Sequence, residues 1–410
     1  MVCPGKFALF LAAPYWLAAA PNFYENVLPI LENRCQECHR KGEMAPMPLT
    51  TYRETRPWAK AIRDAVRTRK MPPWFADPCC GHFSNDRSLT AAEIETLSQW
   101  AETGALKGSS FDAWTPREWT PGWNLESPEK ILAIPKPFAV PAQGPVEYQY
   151  FVVPTGFEED KWVQGVEVKP GSRGVVHHVV VYIREPGSTW THGPTKADIL
   201  QVYAPGTAPE VWPDGMAKLI KAGSDLVFEI HYTPDGKKTH GKVPPGKVTM
   251  DQTRVALAFA PTPPRKRVLT LQMGNDRFAI PPGDPDYRVT VWGSLPNDTL
   301  LLSFFPHMHL RGKSFEFNRL REDGQPETLL RVSPYDFYWQ LSYRLTTPLP
   351  LPKGTRLEWV AHFDNSVNNA RNPDATAEVR YGQQSWEEMM IGFFDVAVDA
   401  KVDKNLFFVR

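Results

Sequence analysis

Short apolar runs recur along the C-terminal two-thirds of the chain. They are rich in β-branched and aromatic residues and are bounded by Gly, Pro, Asp and Asn, a pattern that predicts strands joined by turns. The runs are YQYFVVP, KWVQGVEV, GVVHHVVVYI, DLVFEIHYT, RVALAFA, YRVTVWG, TLLLSFF, RLEWVAHF and MIGFFDVAV. This length of strand-rich sequence predicts two all-β jelly-roll or sandwich domains, which we place at residues 141–264 and 265–410.

The pattern before these strands is different. FYENVLPILENRCQECHR has helical spacing, and LTAAEIETLSQWAETG predicts a helix with Thr90 as N-cap, Glu93 as its capping-box partner and Gly104 at the end. These segments predict a small all-α domain over residues 21–110. Residues 111–140 are dense in Pro, Gly and Trp with little periodicity, which favours a linker.

The first twenty residues, MVCPGKFALFLAAPYWLAAA, have one Lys, an apolar stretch and then small residues. This composition predicts a signal peptide at residues 1–20 and an exported, periplasmic or secreted protein. An uncleaved N-terminal anchor is the alternative, because Pro21 is a poor residue to follow a cleavage point. No later segment is apolar for long enough to span a bilayer, so we expect a mature chain without a transmembrane segment.

The composition argues against a nucleic-acid partner and against a mainly helical fold. The 410 residues include 46 Lys plus Arg and 46 Asp plus Glu, so no basic excess favours a polyanion, and we expect no nucleic-acid partner. The 41 prolines and 14 tryptophans also favour strands and turns over a mainly helical protein.

The motif CQECH carries the first candidate chemistry. Cys35 and Cys38 on one helical turn can each add to a haem vinyl group, and the adjoining His39 then faces the iron. A redox CxxC or a chance spacing is the alternative. The motif predicts that the helical domain is cytochrome c-like and carries one covalently attached c-type haem. Met71, in RKMPPWFAD, is the candidate second axial ligand, with Met44, Met47 and His82 as competitors.

Histidines within the predicted strands are a second candidate site. His307 and His309 are one residue apart in FFPHMHLRGKSF, so both project from one side of a strand and can bind one metal ion. His177 and His178 lie in GVVHHVVVYI, and they could share an ion only if the backbone bends or the rings use different nitrogens. His231 follows in an apolar strand. Each histidine alone is more typical of a hydrogen-bonded core residue; together they favour a metal.

The order VVHHVVVYI, EIHY, PHMHLRGKSF and SWEEMMIGFFDV resembles the copper type II, ascorbate-dependent monooxygenases, the family of peptidylglycine α-hydroxylating monooxygenase and dopamine β-monooxygenase. The resemblance covers roughly residues 140–410. It implies two jelly-roll domains with one copper ion in each, facing across a solvent-filled cleft. The ligands would be His177, His178 and His231 for the first copper, and His307, His309 and Met389 for the second, where oxygen is activated; Met390 is the fallback for Met389.

Two imidazoles and a thioether favour Cu(I) over Mg²⁺, Ca²⁺ or Zn²⁺. The hypothesis is therefore a copper-dependent monooxygenase that hydroxylates a C–H bond with O2, its electrons coming through the fused haem from an ascorbate-like donor or a redox protein. The substrate would be a small molecule or a peptide. The alternatives are a non-catalytic electron-transfer or copper-binding protein and, less favoured, a zinc-dependent hydrolase.

Four further sets of residues bear on this hypothesis. The peptide-amidating relatives grip a substrate carboxylate where this chain has Phe305, Ile391 and Phe393, so we expect a neutral or aromatic substrate. Cys79 and Cys80 could pair with one another, stay free or join a partner. Glu229 could orient a metal ligand or face solvent. His192, His240 and His362 are expected at the surface or in hydrogen bonds.

Overall fold

The computed structural model describes residues 20–407 except 42, 44, 110–116, 118–121, 145, 193–197, 235–246, 405 and 406. The predicted signal peptide therefore lies outside the described residues except for Ala20, as do Met44 and His240. Within the described part of the chain, no helix is long and apolar enough to cross a membrane.

Two β-sandwiches make up most of the molecule. The first comprises β1 (Lys130–Ala133), β2 (Phe138–Val140), β3 (Gln149–Pro154), β4 (Lys161–Lys169), β5 (Val176–Arg184), β6 (Asp198–Tyr203), β7 (Glu210–Val211), β8 (Met216–Ile220), β9 (Asp225–Tyr232), β10 (Thr249–Asp251) and β11 (Arg254–Phe259). The strand β1 and its successor β2 fall inside the segment that the sequence predicts as a linker.

The second sandwich follows without a break in the chain. It comprises β12 (Lys266–Asn275), β13 (Ala279–Ile280), β14 (Tyr287–Ser294), β15 (Thr299–His307), β16 (Gly312–Leu320), β17 (Pro326–Val332), β18 (Tyr343–Leu351), β19 (Arg356–Phe363), β20 (Val379–Arg380) and β21 (Met390–Asp399). Every apolar run quoted above as a predicted strand overlaps one of these strands.

Strand order identifies the architecture. In the first sandwich the sheet β1-β11-β4-β8 faces the sheet β3-β9-β5-β6, and in the second β12-β21-β15-β18 faces β14-β19-β16-β17. Counting the eight principal strands of each sandwich in chain order, both give 1-8-3-6 in one sheet and 2-7-4-5 in the other. This is the arrangement of a jelly roll, so the jelly-roll prediction for both halves is confirmed.

The two sandwiches share a sheet. β8 pairs with β12 in parallel at Lys266↔Met216 and Arg267↔Ala217, which joins one sheet of each sandwich into a nine-stranded sheet. Each sandwich has its own buried apolar core, but Leu302 and Ala397 of the second pack into the core of the first. The ends of β5, β9, β15 and β21 are therefore held at fixed positions relative to one another.

The predicted small all-α cytochrome c-like domain is wrong. Helices before residue 110 are short: α1 (Leu28–Arg34), α2 (Tyr52–Thr55), α3 (Ala59–Arg67) and α4 (Ala91–Glu102), with a π-helical turn before α1 and a 3-10 turn before α3. Only α3 and α4 reach 9 and 12 residues. Turns and extended backbone make up the rest, so these residues do not form a sizeable helical domain.

The physical reason is that part of this segment packs on the second sandwich. Trp74, Phe75 and Phe83 contribute to the core of that sandwich rather than to a helical core. Isolated bridges join Ala76 to Val332 and Phe83 to Leu345, so the backbone here is extended. The capping box of α4 is confirmed, because Thr90 and Glu93 make both of its hydrogen bonds.

Candidate metal centre

Three histidines of the first sandwich converge. His177 and His178 lie at the start of β5, and His231 lies near the end of β9, directly opposite His178. The register shifts between Val176 and His178, and such a bulge turns consecutive residues toward one side of the sheet. One ring nitrogen from each histidine lies within 4.8 Å of the others. The backbone bend that two adjacent histidines need to share an ion is therefore present.

The hydrogen bonding of this group fits a metal. His177 Nδ1 lies 3.1 Å from His178 Nδ1, and His177 Nε2 is buried with no hydrogen-bond partner among the described residues. A buried ring nitrogen without a partner is costly unless an ion binds it. Burial, together with the neighbouring imidazoles, holds the pKa of His177 and of His178 well below the ordinary value. The rings are thus neutral, the form that ligates metals.

The second group lies where β15 ends. His307 Nδ1 donates to Gln340 Oε1 at 2.7 Å, and His309 Nδ1 donates to the Glu387 carbonyl at 3.2 Å. Each Nδ1–H is thereby fixed, which leaves each Nε2 as the nitrogen that can bind a metal. His309 Nε2 is buried and has no hydrogen-bond partner within the described part of the chain. Burial lowers the pKa of His307 to about 4.

Met389 and Met390 have different surroundings. Met389 lines a cavity together with His178 and His307, whereas Met390 is fully buried in the core of the second sandwich at the start of β21. Of the two sulfurs, the one that shares a cavity with the histidines therefore belongs to Met389.

The two groups of histidines are in contact. The ring centroids of His178 and His307 are 5.4 Å apart, and Phe337 stacks on His177 at 4.2 Å. The family resemblance implies two sites facing each other across a solvent-filled cleft. That expectation is corrected here: the five imidazoles and Phe337 form one buried cluster between the sandwiches.

A cavity of about 630 Å³ opens beside this cluster. Tyr148, Tyr150, Tyr182 and Tyr381 contribute to its walls. Glu229 lies among them, accepts hydrogen bonds from Tyr150 and Tyr182, and has its pKa raised to about 7 by burial. The carboxyl group of Glu229 is thus held by phenol groups and faces the cavity.

The cavity does not favour an anionic ligand. Lys404 is the one Lys or Arg among the described lining residues, and its ammonium group pairs with Glu185 at 2.8 Å and Asp198 at 3.5 Å. Ile391 and Phe393, which the family resemblance would place at carboxylate-binding positions, are apolar and line the wall. Phe305, at the third such position, is buried against Phe393 with ring centroids 6.1 Å apart.

The CQECH segment forms a tight turn directly after α1. The His39 N–H donates to the Cys35 carbonyl at 2.9 Å, and both thiols are free of a disulfide. His39 Nδ1 donates to the Met47 carbonyl at 3.1 Å, which leaves Nε2 as the ligating nitrogen. Two free thiols and an oriented imidazole on one turn fit covalent haem attachment. Met71 is half-buried in the loop after α3, and His82 is exposed.

The remaining candidates are separate from the histidine cluster. Cys79 and Cys80 form a disulfide with one another. His192 is exposed, and His362 pairs with Asp286 at 3.1 Å on the outer part of the second sandwich.

Sequence reasoning missed three residues that hold the cluster together: Phe337, Gln340 and Glu388. The Glu388 carboxylate accepts the backbone N–H groups of His309 at 2.9 Å and Arg311 at 2.6 Å. Because Glu388 directly precedes the predicted ligand Met389, its position in the sequence could have marked it as a candidate. Phe337 and Gln340 belong to a turn far along the chain from the histidines, and nothing in the sequence marks them.

Comparisons with known proteins do not identify the chain. No family model matches it, and no curated protein matches it. Among solved structures, the major capsid protein P2 of bacteriophage PM2 is similar with 7% identity and a TM-score of 0.30, over 67% of this chain and 99% of that one. PNGF-II is similar with 8% identity and a TM-score of 0.29, over 66% of this chain and 65% of that one. Likenesses this weak carry no argument about fold or function.

Proposed function

We propose that this protein is a copper-dependent monooxygenase that hydroxylates a C–H bond with O2. The observation that carries the proposal is the convergence of His177, His178, His231, His307 and His309 into one buried cluster beside a cavity that Met389 also lines. Two ring nitrogens of this cluster, His177 Nε2 and His309 Nε2, are buried without a hydrogen-bond partner among the described residues, which is costly unless an ion binds them.

The two groups of ligands suit two different roles of copper. Three imidazole nitrogens make a site for one-electron storage, and two imidazoles with a thioether make a softer site that favours Cu(I). Copper bound at these groups would supply one-electron chemistry and, when reduced, a position at which O2 reacts. A thioether is a poor ligand for zinc, which disfavours the hydrolase alternative.

The protein side chains orient and shield the site. Gln340 and the Glu387 carbonyl fix the rings of His307 and His309 through their Nδ1–H groups. Phe337 covers His177 and excludes water from that side of the cluster. The cavity walls, with several tyrosines and without an unpaired described cation, favour a neutral or aromatic substrate over a carboxylate.

We further propose that a haem attached at Cys35 and Cys38, with His39 as axial ligand and Met71 as the candidate second ligand, delivers the electrons. The support is the pair of free thiols on one turn and the hydrogen bond that orients His39. If this is correct, the pigment resists extraction by acidified acetone, and the double variant Cys35→Ala/Cys38→Ala loses it while keeping its β-sheet circular dichroism.

The central test uses the metal-free chain reloaded with two equivalents of Cu(I) under argon. With ascorbate and ¹⁸O2, we expect copper-dependent O2 uptake and transfer of one ¹⁸O atom to a member of a panel of neutral alkyl-aromatic compounds. His309→Ala should lower O2 uptake by at least about 100-fold, since losing a ligand disrupts the site at which O2 reacts.

His362→Ala is the matched control, because His362 lies away from the cluster and pairs with Asp286. Equal O2 uptake by the loaded wild type and His309→Ala would contradict the proposal and favour a copper-binding or electron-transfer protein. Retention of zinc alone, with an activity that persists without O2, would favour the hydrolase.

A further inference from the structure

A buried ion-pair cluster joins the CQECH segment to the first sandwich. Glu43 lies four residues after His39, and its carboxylate contacts Lys169 Nζ at 2.7 Å and Arg173 Nη2 at 2.8 Å. Arg40, on the same segment as Glu43, approaches the carboxylate at 3.3 Å. The Glu43 side chain is only 4% exposed. The segment is therefore attached to the sandwich at this point by charge rather than by apolar packing.

The cluster depends on the negative charge of Glu43. Burial alone would raise its pKa, but Arg173 and Lys169 hold the pKa below the ordinary value, so the carboxylate is ionised at neutral pH. Lys169, 7% exposed, lies at the end of β4 and also lies over the Trp123 ring. Removing the carboxylate would leave buried cations without their counter-charge, which is far more costly than losing a surface pair.

The ion-pair cluster is connected to the histidine cluster through the turn before β5. Arg173 lies four residues before His177, in the turn that precedes β5. That turn is itself fixed, since the Ser172 N–H donates to Asp251 Oδ1 at 2.8 Å and the Thr233 N–H donates to the Val175 carbonyl at 2.8 Å. A single ion pair thus links the segment after His39 to the backbone that carries His177.

The segment 74–85 touches the second sandwich in another way. Arg331 lies 4.0 Å from Asp77, with both side chains more than a third exposed. Asn85 bonds to backbone atoms of Ser342 and Arg344. Neither contact lies on a strand that carries a histidine of the cluster.

We propose that Glu43 is a positioning residue that holds the CQECH turn against the turn before β5, and so fixes the route between a haem on that turn and the His177 group. The electron-transfer part of this proposal rests on the proposed function, whereas the docking of the two turns does not depend on it. Fixed contact replaces a diffusive encounter between donor and acceptor with a preorganised one. In each transfer, a ferrous haem held at Cys35, Cys38 and His39 would lose one electron and a cupric ion held by the His177 group would gain it.

The test compares the full-length haem-containing chain with Glu43→Gln, which keeps the side-chain shape and removes the charge. We expect amide hydrogen exchange to accelerate at least tenfold over residues 35–49 and 170–175, with exchange in β14 to β19 unchanged. In the copper(II)-loaded chain under argon, reoxidation of flash-reduced haem should slow at least tenfold. Glu159→Gln, which removes an exposed pair with Lys161, is the matched control and should change neither readout.

If Glu43→Gln does not fold, Arg173→Gln is used in its place, because it leaves the Glu43–Lys169 pair intact. Arg173→Lys, which keeps the positive charge, should restore most of the protection from hydrogen exchange. Exchange rates in the two segments that stay within twofold of wild type in Glu43→Gln and Arg173→Gln would overturn the proposal. A different outcome is faster exchange in Glu43→Gln together with no electron transfer from haem to copper in the wild type. That result would support the docking role of Glu43 and count against the proposed function.

Discussion

At the scale of single residues, the second histidine group is held mainly by one short peptide. Residues 387 to 389 provide the carbonyl that orients the His309 ring, the carboxylate that accepts two backbone N–H groups at the end of β15, and the methionine that lines the cavity. Glu388 is fully buried. Its carboxylate thereby ties the position of Met389 to that of His309.

Replacement of Glu388 by Ala should lower the Cu(I) affinity of the second group by about 10- to 100-fold, a typical effect of removing a residue that orients metal ligands. Competition with a chromophoric Cu(I) chelator measures the affinity of each group. The first group should keep its affinity, and Glu316→Ala, which removes a partly exposed partner of Arg331, is the control. An unchanged affinity of the second group would show that Glu388 serves packing alone.

How much of this site the sequence could predict depends on the kind of contact. The histidines were identified because metal ligands have characteristic residue types and spacings, whereas Met389 was assigned only through the family resemblance. The structure places the five histidines in one cluster, beside a cavity that Met389 lines. Glu388, Gln340 and Phe337 were missed because an ordinary glutamate, glutamine or phenylalanine gains its role only from what folding places beside it. The contact between the two histidine groups was missed for the same reason.

At the scale of elements, local signals were reliable and long-range ones were not. The strand runs and the capping box of α4 were predicted because alternation, turn residues and a Thr-x-x-Glu pattern act within a few residues. The all-α domain was wrong because Trp74, Phe75 and Phe83 pack against β-strands more than two hundred residues away in sequence. Nothing local distinguishes an aromatic residue of a helical core from one that covers a distant sheet.

The docked CQECH segment should respond to acid. The pKa of Glu43 lies below its ordinary value of 4.5 in the folded chain, so its ion pairs stabilise the fold above that value and are lost as pH falls. Arg40, Lys169 and Arg173 face the carboxylate and stay charged throughout. The stability difference between wild type and Glu43→Gln should therefore shrink as pH is lowered from about 5 to about 3.

Calorimetric unfolding of both proteins across this range measures the effect. Glu167 lies nearby, where burial raises its pKa and the charge of Glu43 adds to that rise, so its titration makes a smaller contribution to the pH dependence of the difference. A difference in unfolding temperature that stays constant with pH would mean that Glu43 acts through shape and not through charge.

At the scale of the whole molecule, the two jelly rolls together form one cluster of histidines. The parallel pairing of β8 with β12 fuses their sheets, and Phe337 of the second sandwich stacks on His177 of the first. Relative motion of two domains is the usual expectation when an interface is small and polar, but here a continuous sheet and a buried aromatic contact oppose it. The histidine groups should therefore stay close together in solution.

This closeness gives a magnetic prediction. The ring centroids of His178 and His307 are 5.4 Å apart, so two cupric ions held by the two groups would be near enough for their unpaired electrons to interact. A chain loaded with one Cu(II) should give the spectrum of an isolated ion, whereas the doubly loaded chain should give broadened lines and an integrated intensity below two spins. His309→Ala, with its second group disrupted, should show only the isolated signal. Two sharp, fully intense signals from the doubly loaded wild type would mean that the sandwiches separate at the cluster, as the family resemblance implies.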